Sequence, residues 1–312
     1  MPGSTSLLAE PLGPSLGIQA QLPILLAEYP FRTQQDIADY LHLLQDLPRY
    51  FSDLIALEQE KSRQGVFQND LAVDGIIRQC SAFLADADTP EIHLLHTVFQ
   101  NKLQASSLFS EAERNLCLQT HEKLLTSCVF PAYRSLSDAL SSLRGKGTQN
   151  AGGLSRQEGG LSYYAYLLRS RVGVDASPEE LTRLLTQQLA DQCAEMQIIL
   201  DQNPSLSLSE QALVLPFSTP EEMLADLQNA VSEDFPVLSG IAYEVKTVDD
   251  SLKDFLSPAF YLTPPADVNS PNSIYLNPAD EMTGIELYST LAHEAFPAIC
   301  TRPSRSRAPT RF

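Results

Sequence analysis

The chain has 312 residues, 39 of them acidic and 21 basic, for a net charge of −18. A chain this acidic is a poor partner for nucleic acid or an anionic membrane surface. Hydrophobic residues make up 43% of it, enough to core one large domain or two ordinary ones, and no stretch approaches the ~18 uninterrupted apolar residues of a membrane span.

The elements read as follows in chain order. Pro11, Gly13, Pro14, Gly17, Pro23 and Pro30 punctuate residues 1–32, which are expected to be extended, with 18–29 packing on the body. Met1 to Gln19 lacks a basic leader followed by an apolar run, so it is not read as a secretory signal; export of a longer parent with its own leader stays open. Thr33 and Asp36 cap a helix that carries Ile37, Tyr40, Leu41 and Leu44 at helical spacing, and Pro48 is expected to break or kink it before 50–62 resumes. Residues 69–85 form a further helix, and Thr89-Pro90-Glu91 reads as a strong helix start. Ser110 and Glu113 form a capping box that opens a long helix towards Leu143. The 145–160 loop has glycines but no Gly-Lys-Ser/Thr, so phosphate binding is not supported. Ser177-Pro178-Glu179-Glu180 starts a helix that Asn203-Pro204 stops, and Thr219-Pro220-Glu221-Glu222 starts another. Residues 242–248, 259–262 and 273–276 are rich in strand formers, and 284–296 returns to helical spacing.

Chemistry-bearing residues are few. The five cysteines, Cys80, Cys117, Cys128, Cys193 and Cys300, have no C-x-x-C spacing, which suits free thiols better than a thiolate metal site. His93 and His96 stand three apart without a well-spaced acidic or thiol partner, so a surface role is expected. Tyr163, Tyr164 and Tyr166 with Arg169 and Arg171 read as an amphipathic helix before they read as a cleft. Phe260, Tyr261 and Tyr275 lie on short strands that read equally as an edge for an extended peptide or as a plain sheet core. The sharpest pair is His293-Glu294, in Tyr288-Ser-Thr-Leu-Ala-His-Glu-Ala-Phe-Pro297. Adjacent His and Glu on an apolar helix suit a metal ligand beside the base that activates metal-bound water.

The stretch 288–297 resembles the active-site signature of a bacterial family catalogued as "domain of unknown function" 885, grouped with zincin-like metallopeptidases. Residues 17–31, 163–167 and 257–265 are also similar to that family, so the likeness covers roughly 10–297. The resemblance implies a mainly α fold with a small β-sheet near the C-terminus (α+β), the N-terminal part of a zincin-like metallopeptidase. It further implies His293 as first zinc ligand, Glu294 as catalytic base, a zinc ion in the intact parent, and a peptide substrate. The organisation expected is an N-terminal segment 1–32, a helical domain 33–297, and a tail 298–312. A non-catalytic helical binding protein with an authentic tail is the competing reading.

The likeness stops at one codon. The family motif continues Gly-His-Leu-Tyr-Gln, whereas this chain has Ala298-Ile299-Cys300-Thr301-Arg302. The string CCG GGC CAT CTG TAC CAG ACC encodes Pro-Gly-His-Leu-Tyr-Gln-Thr. Deleting one G gives CCG GCC ATC TGT ACC AGA CC, which reads Pro-Ala-Ile-Cys-Thr-Arg-Pro, as in residues 297–303. The last fifteen residues also carry four arginines and no acid in an otherwise acidic chain. Residues 298–312 are therefore expected to be out of frame. The DNA around codon 298 checks this: codons incompatible with a one-base slip would remove the idea. Ile299 stands where the second His would fall. Since a catalytic zinc usually takes three protein ligands, none is expected to bind this chain. Without its C-terminal cover, the apolar face through Ile285, Leu287, Leu291 and Phe296 is expected to be exposed and prone to aggregation.

Overall fold

The computed structural model describes residues 5–15, 17–147, 153–204, 215–217, 219–234, 243–248, 258–262, 271–277 and 284–295. The chain is mainly helical with a small sheet near its C-terminus, and it divides into two compact units, 1–206 and 207–312, where the sequence reading keeps 33–297 as one domain. The expected tail 298–312 lies outside the described residues.

The first unit holds α1 (Ile18–Glu28), α2 (Gln34–Arg63), α3 (Asp70–Phe83), α4 (Leu94–Ala105), α5 (Glu111–Leu124), α6 (Phe130–Leu143), α7 (Gly160–Leu167) and α8 (Pro178–Gln202). Helix α2 packs on α5 and α6, α3 on α6, and α4 on α5 and α1. Their apolar stripes meet in one core, through Tyr40, Leu44 and Phe51 of α2, Ile76 of α3, Phe99 of α4 and Tyr133 of α6.

Three sequence expectations change here. Residues 1–32 are not extended: Thr5–Leu8 form a 3₁₀ turn and α1 is helical through Pro23. A proline in mid-helix cannot donate to the carbonyl four residues back, here that of Gln19. The buried Tyr133 hydroxyl donates to that carbonyl at 3.0 Å and removes the penalty. Gln19 Nε2 donates to the Gly13 carbonyl at 2.6 Å, and Gln79 Nε2 donates to the Pro14 carbonyl at 2.6 Å, so buried amides tie down the Pro/Gly run. Tyr133→Phe is expected to lower stability by about 1–2 kcal/mol, because it orphans a buried acceptor. A lower denaturant midpoint at unchanged slope would show it.

Secondly, α2 does not end at Pro48. It runs unbroken for 30 residues, held by Leu44, Leu47, Phe51 and Leu54, all buried around the proline. Tertiary burial outweighs the ~3 kcal/mol local penalty of an interior proline. The Thr33–Asp36 and Ser110–Glu113 capping boxes both form.

Thirdly, Thr89-Pro90-Glu91 opens only a short 3₁₀ turn, Pro90–Ile92, and His93 caps α4 instead. Its Nδ1 accepts from the Leu95 N–H at 3.3 Å and its Nε2 donates to the Phe83 carbonyl at 2.9 Å, which makes it a neutral imidazole. His93 and His96 are thus buried rather than on the surface. His121 joins them, stacked on Phe99 with ring centroids 4.1 Å apart and with Nε2 3.2 Å from the Tyr40 hydroxyl. Burial above all pushes the His121 imidazole down to about 3.

Helices α5 and α6 are joined through a π-helical turn, Leu125–Val129, which ends two residues before Pro131. The Phe130 N–H reaches the Leu125 carbonyl, and the widened turn makes room for a proline ring that an α-helical register would push against a carbonyl.

Lys61 at the end of α2 is fully buried. Its Nζ lies 2.5 Å from Glu10 and 3.6 Å from Glu58, and donates to the Ala9 carbonyl at 3.1 Å, so it fastens the N-terminal segment to α2. Burial pushes the Glu58 carboxyl up to about 7, against the pull of Lys61.

The second unit holds α9 (Pro220–Asp234), β1 (Tyr243–Thr247), β2 (Ala259–Leu262), β3 (Asn272–Leu276) and α10 (Gly284–Glu294). The strand order is β1-β3-β2, with β1 parallel and β2 antiparallel to β3. Val245, Ile274 and Tyr261 share a register row, so they lie on one sheet face, and with Met223 and Leu224 of α9 and Leu291 of α10 they form this unit's core.

Candidate functional site

Helix α10 carries the His-Glu pair. Leu287, Leu291 and Ala295 recur every four residues and so share a face. That face meets Met223, Leu224 and Leu227 of α9 and Ile274 of β3; Leu291 and Ala295 are fully buried. The expected exposure of this face is therefore corrected: Leu291 is covered and Leu287 partly so, because α9 and the sheet supply the cover inside the unit. Phe296 lies outside the described residues. The Tyr288 hydroxyl donates to Asp226 Oδ2 at 2.7 Å, and its ring stacks on Phe217 with centroids 5.7 Å apart. The hydrogen bond to Asp226 holds the phenol proton above its ordinary range. This second anchor of α10 to α9 joins residues 62 apart. A cap at Thr219 reveals α9 in the sequence, but nothing there pairs Asp226 with Tyr288.

With α10 oriented this way, His293 lies roughly 200° round from Leu291 and is exposed, while Glu294 is half-buried. The imidazole stands in the last helical turn, where the chain leaves the helix. Position 299 lies outside the described residues. No group of three or more His, Cys, Asp or Glu side chains that could hold a metal occurs among the described residues.

The sheet separates the three aromatics proposed for substrate. Strand β3 is central, so Tyr275 does not offer an edge; it is 8% exposed. Tyr275 instead stacks on Phe260 across the sheet, centroids 4.9 Å apart, with the Lys246 ammonium 5.9 Å from its ring centroid. Tyr261 alternates to the opposite face, the one bearing α10, and its hydroxyl donates to Asn272 Oδ1 at 2.6 Å. Among the described residues β2 is an edge strand and β3 is not, and Phe260 and Tyr275 stand behind the sheet as seen from His293's helix.

Elsewhere, Tyr163 is buried and stacked on the more exposed Tyr166, and Arg169 pairs with Asp175 at 3.5 Å on the surface. An open pocket lined by Phe31, Arg32, Lys102 and Ser106 contains none of the residues singled out from the sequence.

The helices and the small three-stranded mixed sheet near the C-terminus define an α+β protein. The chain belongs to the family described as bacterial protein of unknown function, DUF885, whose model matches residues 7–297. Its fold is similar to the crystal structure titled a "putative lipoprotein" from Colwellia psychrerythraea, with a TM-score of 0.74, 19% identity and 92% of this chain covered. The chain spans about half of that protein, 52% of its length. No curated protein matches.

Proposed function

We propose that the chain is the first part of a zinc-dependent peptidase with a zincin-like fold, in which His293 is a metal ligand and Glu294 the general base. The observation that carries the reading is the run 288–297, with its His-Glu pair in the last turn of a helix anchored on one side by Leu291, Ala295 and Tyr288. That anchoring fixes the helix and leaves the imidazole free of the core.

The described residues do not by themselves fit a catalytic zinc. They offer His293 and its neighbour Glu294, whereas such a site takes three protein ligands with a fourth position open. No catalytic step through a metal follows from these residues alone. The activity is assigned to the longer protein, with the remaining ligands coming from residues after Pro297 in the restored frame.

The experiment restores the missing base at codon 298, expresses the extended product, and measures zinc per chain together with hydrolysis of a mixed peptide library. Near-stoichiometric zinc with peptide cleavage is the expected result. A restored product with neither would overturn the reading and leave a non-catalytic helical binding protein.

A further inference from the structure

Helix α8 is 25 residues long, ~37 Å at 1.5 Å per residue, yet not one of its residues is buried. It is nonetheless strongly two-sided. At ~100° per residue, Leu181, Leu185, Leu189, Cys193, Met196 and Ile199 fall within an arc of about 120°, interrupted by Thr182 and Gln192. Leu185 and Leu189 are each 62% exposed, Met196 50% and Ile199 53%. An apolar stripe that wide and that long is the mark of a helix with a partner. Charge selects among partners. The helix carries Glu179, Glu180, Asp191, Glu195 and Asp201 against Arg183 alone, so a second copy would set acid beside acid. A covering surface should instead be apolar with basic edges. The matched structure supplies the length: it has nearly as much polypeptide again as this chain aligns with.

We propose that α8 is the docking helix for the polypeptide that follows residue 297 in the restored frame, and that this part of the longer protein buries the Leu185–Ile199 stripe. The inference shares with the peptidase reading the premise of a longer product and is independent of zinc.

Cys193 lies on the stripe and is an exposed free thiol, so it reports on its own cover. Alkylation by iodoacetamide, resolved by peptide mass mapping, is compared in the 312-residue chain and the frame-restored protein. Cys193 is expected to react as an open thiol in the first and roughly 100-fold or more slowly in the second, the protection of a group reached only by local opening. Leu189→Asp is expected to leave the unfolding midpoint of the 312-residue chain unchanged and to lower that of the longer protein. Equal reactivity in both overturns the proposal. So does a downstream frame that closes within a few codons, or a 312-residue chain that sediments as a dimer with Cys193 already protected. Zinc is measured on the same preparations. Protection without zinc keeps the docking and removes the peptidase; zinc and activity with an open Cys193 does the reverse.

Discussion

In the frame-restored protein, Glu294→Gln is expected to reduce peptide hydrolysis by about 10²–10⁴-fold while zinc stays bound, and His293→Ala is expected to lose both. The two variants separate two roles that adjacent residues would play. Glutamine keeps the shape and hydrogen-bonding reach of Glu294 but cannot accept a proton, so a general base should show its loss in kcat with KM little changed. A metal ligand should show its loss first in zinc content. Neither site is tied into the fold: His293 is exposed, Glu294 is half-buried, and the anchors of α10 are Leu291, Ala295 and Tyr288. Stability is therefore expected to change little in either variant. If Glu294→Gln retains full activity, Glu294 is not the base. If His293→Ala retains full zinc, His293 is not a ligand.

Acid should unfold the first unit through His121. Its imidazole is held down at about 3 in the fold and titrates near 6.5 in an unfolded chain. The unfolded state thus binds the extra proton between these values, and stability is complete above pH ~6.5 and falls as pH drops towards 3. At pH 5 the loss is about 2 kcal/mol. Glu58 works the other way: its carboxyl is pushed up to about 7, so its contribution is complete below pH ~4.5 and is lost as pH rises through 7. The two overlap, so the parent profile alone does not isolate His121. Comparing the parent with Tyr40→Phe/His121→Phe does, because the double change keeps the aromatic stack and leaves no orphaned hydroxyl. Urea midpoints from pH 4 to 8 are expected to converge towards acid, the variant gaining on the parent as pH falls below 6.5. Parallel profiles would show that His121 is not the acid-sensitive group.

What the sequence reveals here is local. Capping hydroxyls at Thr33, Ser110, Ser177 and Thr219 each start a helix where expected, because a cap and its backbone partners lie within one turn. All three strands fall within a residue of their expected starts. The misses are long-range. Pro23 and Pro48 read as breakers, yet both sit inside helices: Tyr133, 114 residues from Gln19, satisfies the carbonyl that Pro23 strands, and packing carries α2 through Pro48. His93 and His96 look like surface residues until α5 and α6 bring His121 and Phe130 against them. Spacing cannot show that Tyr275 is on a central strand, because strand order is set by pairing partners and not by proximity along the chain. At the site, the His-Glu pair and its helix are readable from ten consecutive residues, whereas the Asp226–Tyr288 anchor is not.

The strand order also constrains synthesis. Among the described strands, β1 and β2 do not pair with each other; both pair with β3, the last of the three in chain order. Until residue 276 has emerged from the ribosome, the nascent chain carries two strand-forming segments with open hydrogen-bonding edges and no mate. Products that stop between residues 262 and 272 would hold both flanking strands and lack the one that joins them. Such fragments should be the forms most in need of a chaperone and the first to be cleared.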